Sequence, residues 1–208
     1  KLFHLLENPS YFLEDPLGSL FSGEGLTFYG GLITSIVLIL FYLRKKSTPF
    51  LAVADAAGPS LMIAYGIGRI GCQLAGDGDY GIPTEHAFGM SYPEGMVSTL
   101  SARNTELVRY FQEVFPGRPI PEDIIVHPTP VYETLIAFAF FAILWKFRTK
   151  QLGMGQLFGM YLILAGIERF FVEFLRMNPL YAGLSQAQWI SIALAVSGGI
   201  IYSLKKRS

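Results

Sequence analysis

The sequence predicts an all-helical membrane protein that crosses the bilayer several times. Three observations carry this: five long apolar runs, basic residues at every second boundary between them, and polar side chains gathered at the other boundaries. Of 208 residues 51% are hydrophobic and 15% charged, against about 25% charged in an average soluble domain. The mean hydropathy is +0.41.

Each run reads as one span. Residues 26–43 carry no charge and would extend about 27 Å as a helix, close to a bilayer core. Residues 50–70 are apolar but include Asp55, Pro59 and three glycines, Gly58, Gly66 and Gly68. Residues 131–147 are rich in Phe, Leu, Ile and Ala, with Glu133 and Lys146 near the ends. Residues 157–174 hold Glu168, Arg169 and Glu173 toward their C-terminal end, and residues 189–204 are uncharged. A soluble bundle would need polar faces on these helices, and the runs are apolar all round.

Charge placement orients the spans. Arg44, Lys45 and Lys46 follow the first run, Lys146, Arg148 and Lys150 close the third, and Lys205, Lys206 and Arg207 close the fifth. The positive-inside rule puts these ends in the cytoplasm. The stretch 71–126 then lies outside as a loop or head, with residues 1–25 and 177–188. One domain, 1–208, is expected. Residues 1–25 read equally as short interfacial helices or as surface loop. A stretch as long as 71–126 is seldom structureless, and a helix is expected in it around Leu107, Val108 and Phe111.

Other classes are excluded or left without support. Net charge is zero, so no global field draws nucleic acid. The single cysteine, Cys72, permits no internal disulfide. Three scattered histidines, His4, His86 and His127, give no metal site, and no cofactor is implied. The pattern Gly66-Ile67-Gly68-Arg69-Ile70-Gly71 ends an apolar run with no βαβ unit after it, so it is not a dinucleotide fingerprint. Its small residues suit close helix contact or a backbone that approaches a ligand. No secretory signal peptide is visible. The chain opens at Lys1 without Met, so residues are expected upstream.

Polar residues converge on the outer boundary. Tyr29-Gly30-Gly31 opens the first run there, Gly68-Arg69 ends the second, His127-Pro128-Thr129-Pro130 begins the third, and Glu168, Arg169, Glu173 and Arg176 end the fourth. An intramembrane charge costs roughly 2.5–3.5 kcal/mol and marks function by default. Arg169 and Glu173 share a helix face. Glu168 points about 100° away. Arg176 continues the Arg169 face and reads as a snorkelling interface residue. Arg69 and Arg169 at one depth make an anion site, since guanidiniums bind phosphate through paired hydrogen bonds. Thr129-Pro130 reads as an N-cap followed by proline at the first helical position, with Glu133 placed against the helix dipole. His127 stays open between a structural and a catalytic part. Asp77-Gly78-Asp79 is turn chemistry. Asp55 is either an intramembrane relay or a buried hydrogen-bond partner.

At these residues the chain resembles the prolipoprotein diacylglyceryl transferase family. The similar segments are Phe28-Tyr29-Gly30-Gly31; Gly68-Arg69-Ile70-Gly71 with Gly76, Asp77 and Tyr80-Gly81; His127 to Glu133; Glu168 to Arg176; and Leu184 to Trp189. The resemblance implies a bundle of seven spans in the bacterial inner membrane, five of them here and the first one or two absent. It also implies transfer of the diacylglyceryl group of phosphatidylglycerol to the lipobox cysteine in a prolipoprotein signal peptide, on the extracytoplasmic side. The catalytic residues implied are Arg69, Arg169, Glu173, His127 and Tyr29. Gly30, Gly31, Gly68, Asp77, Gly81, Glu168 and Arg176 are implied around the lipid. Tyr29 stands at a family His position and Cys72 at a family Asn position. A non-catalytic lipid-binding relative and a small transporter are the alternatives. A transporter would place charge near the midplane between inverted halves.

Overall fold

The computed structural model describes residues 28–204. The segment 1–27, with the predicted outer stretch 1–25, and the cations Lys205, Lys206 and Arg207 lie outside them. Among the described residues six α-helices follow one another: α1 (Phe28–Lys45), α2 (Phe50–Ala75), α3 (Thr105–Val114), α4 (Thr129–Phe147), α5 (Gln156–Val172) and α6 (Gln186–Ser203). A 3₁₀ turn, Glu173–Leu175, extends α5, and a two-residue hairpin, β1 (Leu180–Tyr181) with β2 (Leu184–Ser185), precedes α6. The chain divides at Phe50 into two units.

The first unit contains α1. Most of its described apolar side chains are exposed, Leu38 and Phe41 among them, while Leu43 is buried, and Arg44 and Lys45 close its last turn. Of Tyr29 and Gly30 only the helical backbone is described.

The second unit, from Leu51 onward, holds the other five helices. Their directions follow from three sets of contacts. Asp55, near the start of α2, accepts hydrogen bonds from the backbone of Gly155 (2.5 Å) and Phe158 (2.8 Å) at the start of α5. Gln156 Nε2 donates to Tyr202 O at the end of α6 at 3.0 Å. At the opposite end, Arg69 of α2 and Arg169 of α5 both reach Glu133 in the second turn of α4. So α2 and α5 run one way, and α4 and α6 the other. Asp55 is thereby a hydrogen-bond partner that satisfies orphan N–H groups at a helix start, not a relay.

Close helix approach comes from small residues. A Cβ on Gly66 would stand 2.8 Å from the Phe138 ring, and one on Gly159 would stand 2.8 Å from Gly198 O. Met62, Ala137, Leu144 and Leu157 form the core between α2, α4 and α5. Large apolar side chains on the outer surface, including Leu135, Phe171, Val196 and Ile200, are exposed, while Glu133, Glu168 and Glu173 are buried. This inverts the arrangement of a water-soluble domain. By length and composition alone α2 and α4 are, among the described residues, long and apolar enough to cross a membrane.

Residues 76–128 fold into a head with its own core of Tyr80, Leu107, Phe111, Ile124 and Val126. Its helix α3 is limited to Thr105–Val114 because Asn104 caps it, accepting from Leu107 N at 2.9 Å. Single bridges such as Met90↔Val126 tie the loops together. The structure corrects several boundaries. α2 runs five residues beyond Ile70, to Ala75. α5 tightens at Glu173, so Arg176 leaves the helical face in an extended conformation. α6 starts at Gln186, where Ser185 and Gln188 form a capping box. Thr129 is not a cap: α4 begins at it without a side-chain cap, and its hydroxyl donates to Asp79 O at 2.5 Å.

Replacing Gly159 with Val should destabilise the α5–α6 contact by about 1–3 kcal/mol, the usual cost of overpacking. A lowered thermal midpoint of the purified protein in detergent would register it; an unchanged midpoint would contradict the close approach.

Candidate active site

The site grows around one carboxylate. Glu133 is fully buried, and three arginines surround it. Arg69 Nε lies 2.7 Å from Oε2, Arg169 Nη1 donates to Oε1 at 3.2 Å, and Arg176 Nη1 stands 3.8 Å from Oε1. The arginines come from the end of α2, the end of α5, and the extended residue after the 3₁₀ turn. Each has a second carboxylate. Asp79 bridges Arg69 and Arg176, and Glu173 Oε2 lies 2.9 Å from Arg169 Nη2. Asn178 Nδ2 donates to the other Glu173 oxygen at 2.6 Å. Burial pushes the Asp79 carboxyl up, but the Arg176 and Arg69 guanidiniums outweigh it, so the group titrates below its ordinary range.

Two expectations are corrected here. Arg176 does not snorkel: its side chain is 10% exposed and turned inward onto Asp79 and Glu133. Its Nη1 is buried and makes no hydrogen bond among the described residues. Glu133 is more than a helix-dipole partner, because it is the shared anion of all three arginines.

Glu168 is buried beside this cluster. Its Oε1 accepts from the Tyr65 hydroxyl at 3.3 Å, and the Arg69 guanidinium lies 5.1 Å from the Tyr65 ring centroid. Tyr65, Glu133 and Asp79 carried no distinctive sequence signal. A tyrosine in an apolar run, an acid in a first turn and an Asp in a Gly-rich turn all have sufficient local explanations. The i,i+4 spacing of Tyr65 and Arg69 is the one signal that links any of them to the arginines.

The other named residues fall in different places. Asp77 accepts from Asp79 N at 3.2 Å and so shapes the turn that presents Asp79. Cys72, Asp77 and Asp79 bring ligand atoms within 4.8 Å of one another, but Asp79 is already held by two guanidiniums. Gly68 has open space where a Cβ would stand. Gly81 does not: a Cβ there would stand 2.3 Å from Leu175 O and 2.9 Å from Thr129. Its place is packing, with its N–H donating to His127 O at 2.8 Å. The His127 ring meets Tyr132, Nδ1 to hydroxyl 3.3 Å, and His86, 5.7 Å between centroids. It touches none of the three arginines. Tyr29, Gly30 and Gly31 belong to the first unit.

Arg169 opens onto a cavity of about 240 Å³ lined by Glu173, Asn178, Tyr181, Gln186 and Ala187. Gly166, Phe170 and Phe171 of α5 with Ile192 and Ala195 of α6 line an apolar groove. A polar pocket with a guanidinium beside an apolar groove suits a molecule with an anionic head and hydrocarbon tails.

The sequence profile of the prolipoprotein diacylglyceryl transferase family matches residues 1–204. The phosphatidylglycerol–prolipoprotein diacylglyceryl transferase of Bordetella parapertussis is 31% identical over 210 residues, which span 98% of this chain and 70% of that protein. A protein of the same name from Clostridium tetani is 29% identical, spanning 99% of this chain and 74% of its own length. A third, from Leptospira interrogans, is 34% identical over 162 residues, or 77% of this chain and 44% of its own.

Replacing Glu133 with Gln should cost about 3–5 kcal/mol, as for other buried ion pairs that lose one partner. Thermal unfolding in detergent would measure it, and a shift under 1 kcal/mol would contradict the shared-anion geometry. A second expectation concerns His127, where burial and then His86 lower the pKa below its ordinary 6.5. The neutral ring is therefore favoured by folding. Its contribution is complete above 6.5 and is lost as pH falls through the folded value. An NMR titration of the ring, assigned with His127→Gln, should give a midpoint below 6.5; a midpoint at or above it would contradict the packing.

Proposed function

We infer the reaction from a family: this chain belongs to the prolipoprotein diacylglyceryl transferase family, and its reaction moves the diacylglyceryl group of phosphatidylglycerol onto the cysteine thiol of a prolipoprotein lipobox. The thiol sulfur bonds to the glyceryl carbon, that carbon's bond to the phosphate oxygen breaks, and glycerol phosphate leaves. The nucleophile belongs to the substrate, so the enzyme has to hold two substrates, stabilise a departing phosphate and accept a proton.

The observation that carries the assignment of roles is the convergence of Arg69, Arg169 and Arg176 on Glu133. Arginine presents five N–H donors, and the carboxylates here occupy only part of each set. In our reading the remaining donors of Arg69 and Arg169 hold the phosphate, and Arg176 adds its Nη1, which makes no hydrogen bond among the described residues. Glu173 orients Arg169. The headgroup takes the cavity at Arg169, and an acyl chain follows the groove between α5 and α6. Gly68 and Asp77 are assigned to lipid contact, and in the first unit Tyr29 keeps the catalytic role and Gly30 and Gly31 the lipid-binding role that the resemblance implies.

The topology belongs to the same proposal. Helices α1, α2, α4, α5 and α6 each span the inner membrane. Alternation of direction within the second unit, with Lys146 in the last turn of α4, supports cytoplasmic ends at that side. The arginine cluster then faces the extracytoplasmic leaflet, where prolipoproteins emerge.

Labelled phosphatidylglycerol and a lipobox peptide test the reading directly. A diacylglyceryl mass gain on the peptide cysteine is expected. Arg69→Lys and Arg169→Lys should each lower its rate about 10²–10³-fold, as removal of one oxyanion-stabilising donor does, while the protein stays in the membrane. Lipid binding with no mass gain would leave a non-catalytic relative, and full activity in both variants would end the phosphate assignment.

A further inference from the structure

The transfer needs an acceptor for the thiol proton, and the arginine cluster supplies none. Glu133, Asp79 and Glu173 each lie against at least one guanidinium, so protonating any of them would break an ion pair. The His127 ring is engaged with Tyr132 and His86, away from the arginines.

Glu168 differs from these carboxylates. It is 4% exposed, sits immediately before Arg169 in α5, and, unlike Glu133, Asp79 and Glu173, its carboxylate has no ion-pair partner among the described residues. Its hydrogen-bond partner among the described residues is the Tyr65 hydroxyl, which donates to Oε1 at 3.3 Å. Tyr65 is only partly buried, and its ring carries the Arg69 guanidinium. Two parallel bridges therefore join α2 to α5. One is Arg69–Glu133–Arg169, which is ionic. The other is Tyr65–Glu168, which is a hydroxyl-to-carboxylate hydrogen bond. The charged and titratable groups facing Glu168 are Tyr65 and Arg69 from α2, Glu133 from α4, and Arg169 on its own helix.

We propose that Tyr65 and Glu168 form the proton relay of the transfer, an inference that rests on the transferase reading. The thiol gives its proton to the Tyr65 oxygen as the Tyr65 hydroxyl proton moves to Glu168 Oε1. The sulfur electron pair forms the bond to the glyceryl carbon. The electrons of the broken carbon–oxygen bond leave on the phosphate. The proton then returns through Tyr65 to the departing glycerol phosphate, so no other reagent is consumed. Tyr65 is the catalytic residue in this step, and Glu168 acts through it as a positioning and accepting group.

The test uses the whole chain in nanodiscs containing phosphatidylglycerol, with lipobox peptides bearing cysteine or selenocysteine. A selenol is ionised at neutral pH and needs no base. Glu168→Gln and Tyr65→Phe should each slow transfer to the cysteine peptide about 10²-fold, within the usual range for a general base. Both should keep lipid binding by native mass spectrometry, and both should run within about tenfold of wild type on the selenocysteine peptide. Arg169→Lys should be slow on both peptides. The wild-type rate on cysteine should fall at acid pH, and the selenocysteine rate should hold there. Equal losses on the two peptides, or no loss on cysteine, would overturn the relay. Should Glu168→Gln fail to fold, Tyr65→Phe decides alone, since it removes only one hydroxyl. A wild-type chain that transfers to neither peptide would take down the transferase reading, and the relay with it.

Discussion

A carboxylate wholly removed from water has to be neutralised where it stands, and Glu133 meets that condition with arginines from three separate places in the chain. Desolvating such a group alone costs several kcal/mol, and its partners repay this only in good geometry. The ends of α2 and α5, the start of α4 and the chain leaving the 3₁₀ turn are therefore held to one another. None can shift by a turn without stranding a charge. The same constraint fixes the head, because Asp79 reaches into the cluster from the loop after α2.

The opposite end of the second unit is held by a different device with the same consequence. Asp55 closes the start of α5 from a neighbouring helix, and Gln156 ties that start to the end of α6. In an apolar surround neither set of backbone groups has water to turn to. Polar bonds pin both ends, and small residues let the helices between them touch. In a lipid environment, where hydrocarbon solvates the exposed Leu, Ile and Phe side chains as well as protein does, association between helices depends on packing of this kind.

The sequence discloses some parts of this and hides others, for physical reasons. Apolar runs reveal the helices because their length and lack of charge have no cheaper explanation. Arg69 and Arg169 stand out because a guanidinium in such a run demands a reason. Glu133 and Asp79 do not, since a first turn and a Gly-rich turn account for them locally, and their importance lies in contacts over distances in sequence that periodicity cannot register. Arg176 misleads for a related cause. The helical spacing that places it on the Arg169 face fails where α5 tightens at Glu173, and the extended backbone beyond turns the side chain inward. Tyr65 is invisible because its hydroxyl is an ornament on an apolar residue until Glu168 is seen opposite it. Gly81 carries a packing demand that its place in a signature-like loop does not disclose: a Cβ there would meet Leu175 O and the Thr129 side chain.

Charge balance bears on how such a cluster treats an anion. Three guanidiniums face Glu133, Asp79 and Glu173, so the set is formally neutral before Glu168 is counted. A phosphodiester would then be attracted by directed N–H donors more than by net charge. Donors fixed by existing ion pairs need no reorganisation when substrate arrives, and they act most strongly on whichever state carries the greater charge on oxygen. For a phosphate leaving a carbon, that state comes late, as the bond breaks and negative charge gathers. A cluster neutralised in advance is thus suited to bind the resting lipid modestly and the departing phosphate well, which is the difference in binding that accelerates a reaction. An uncompensated pair of arginines would hold both states tightly and would release the product slowly.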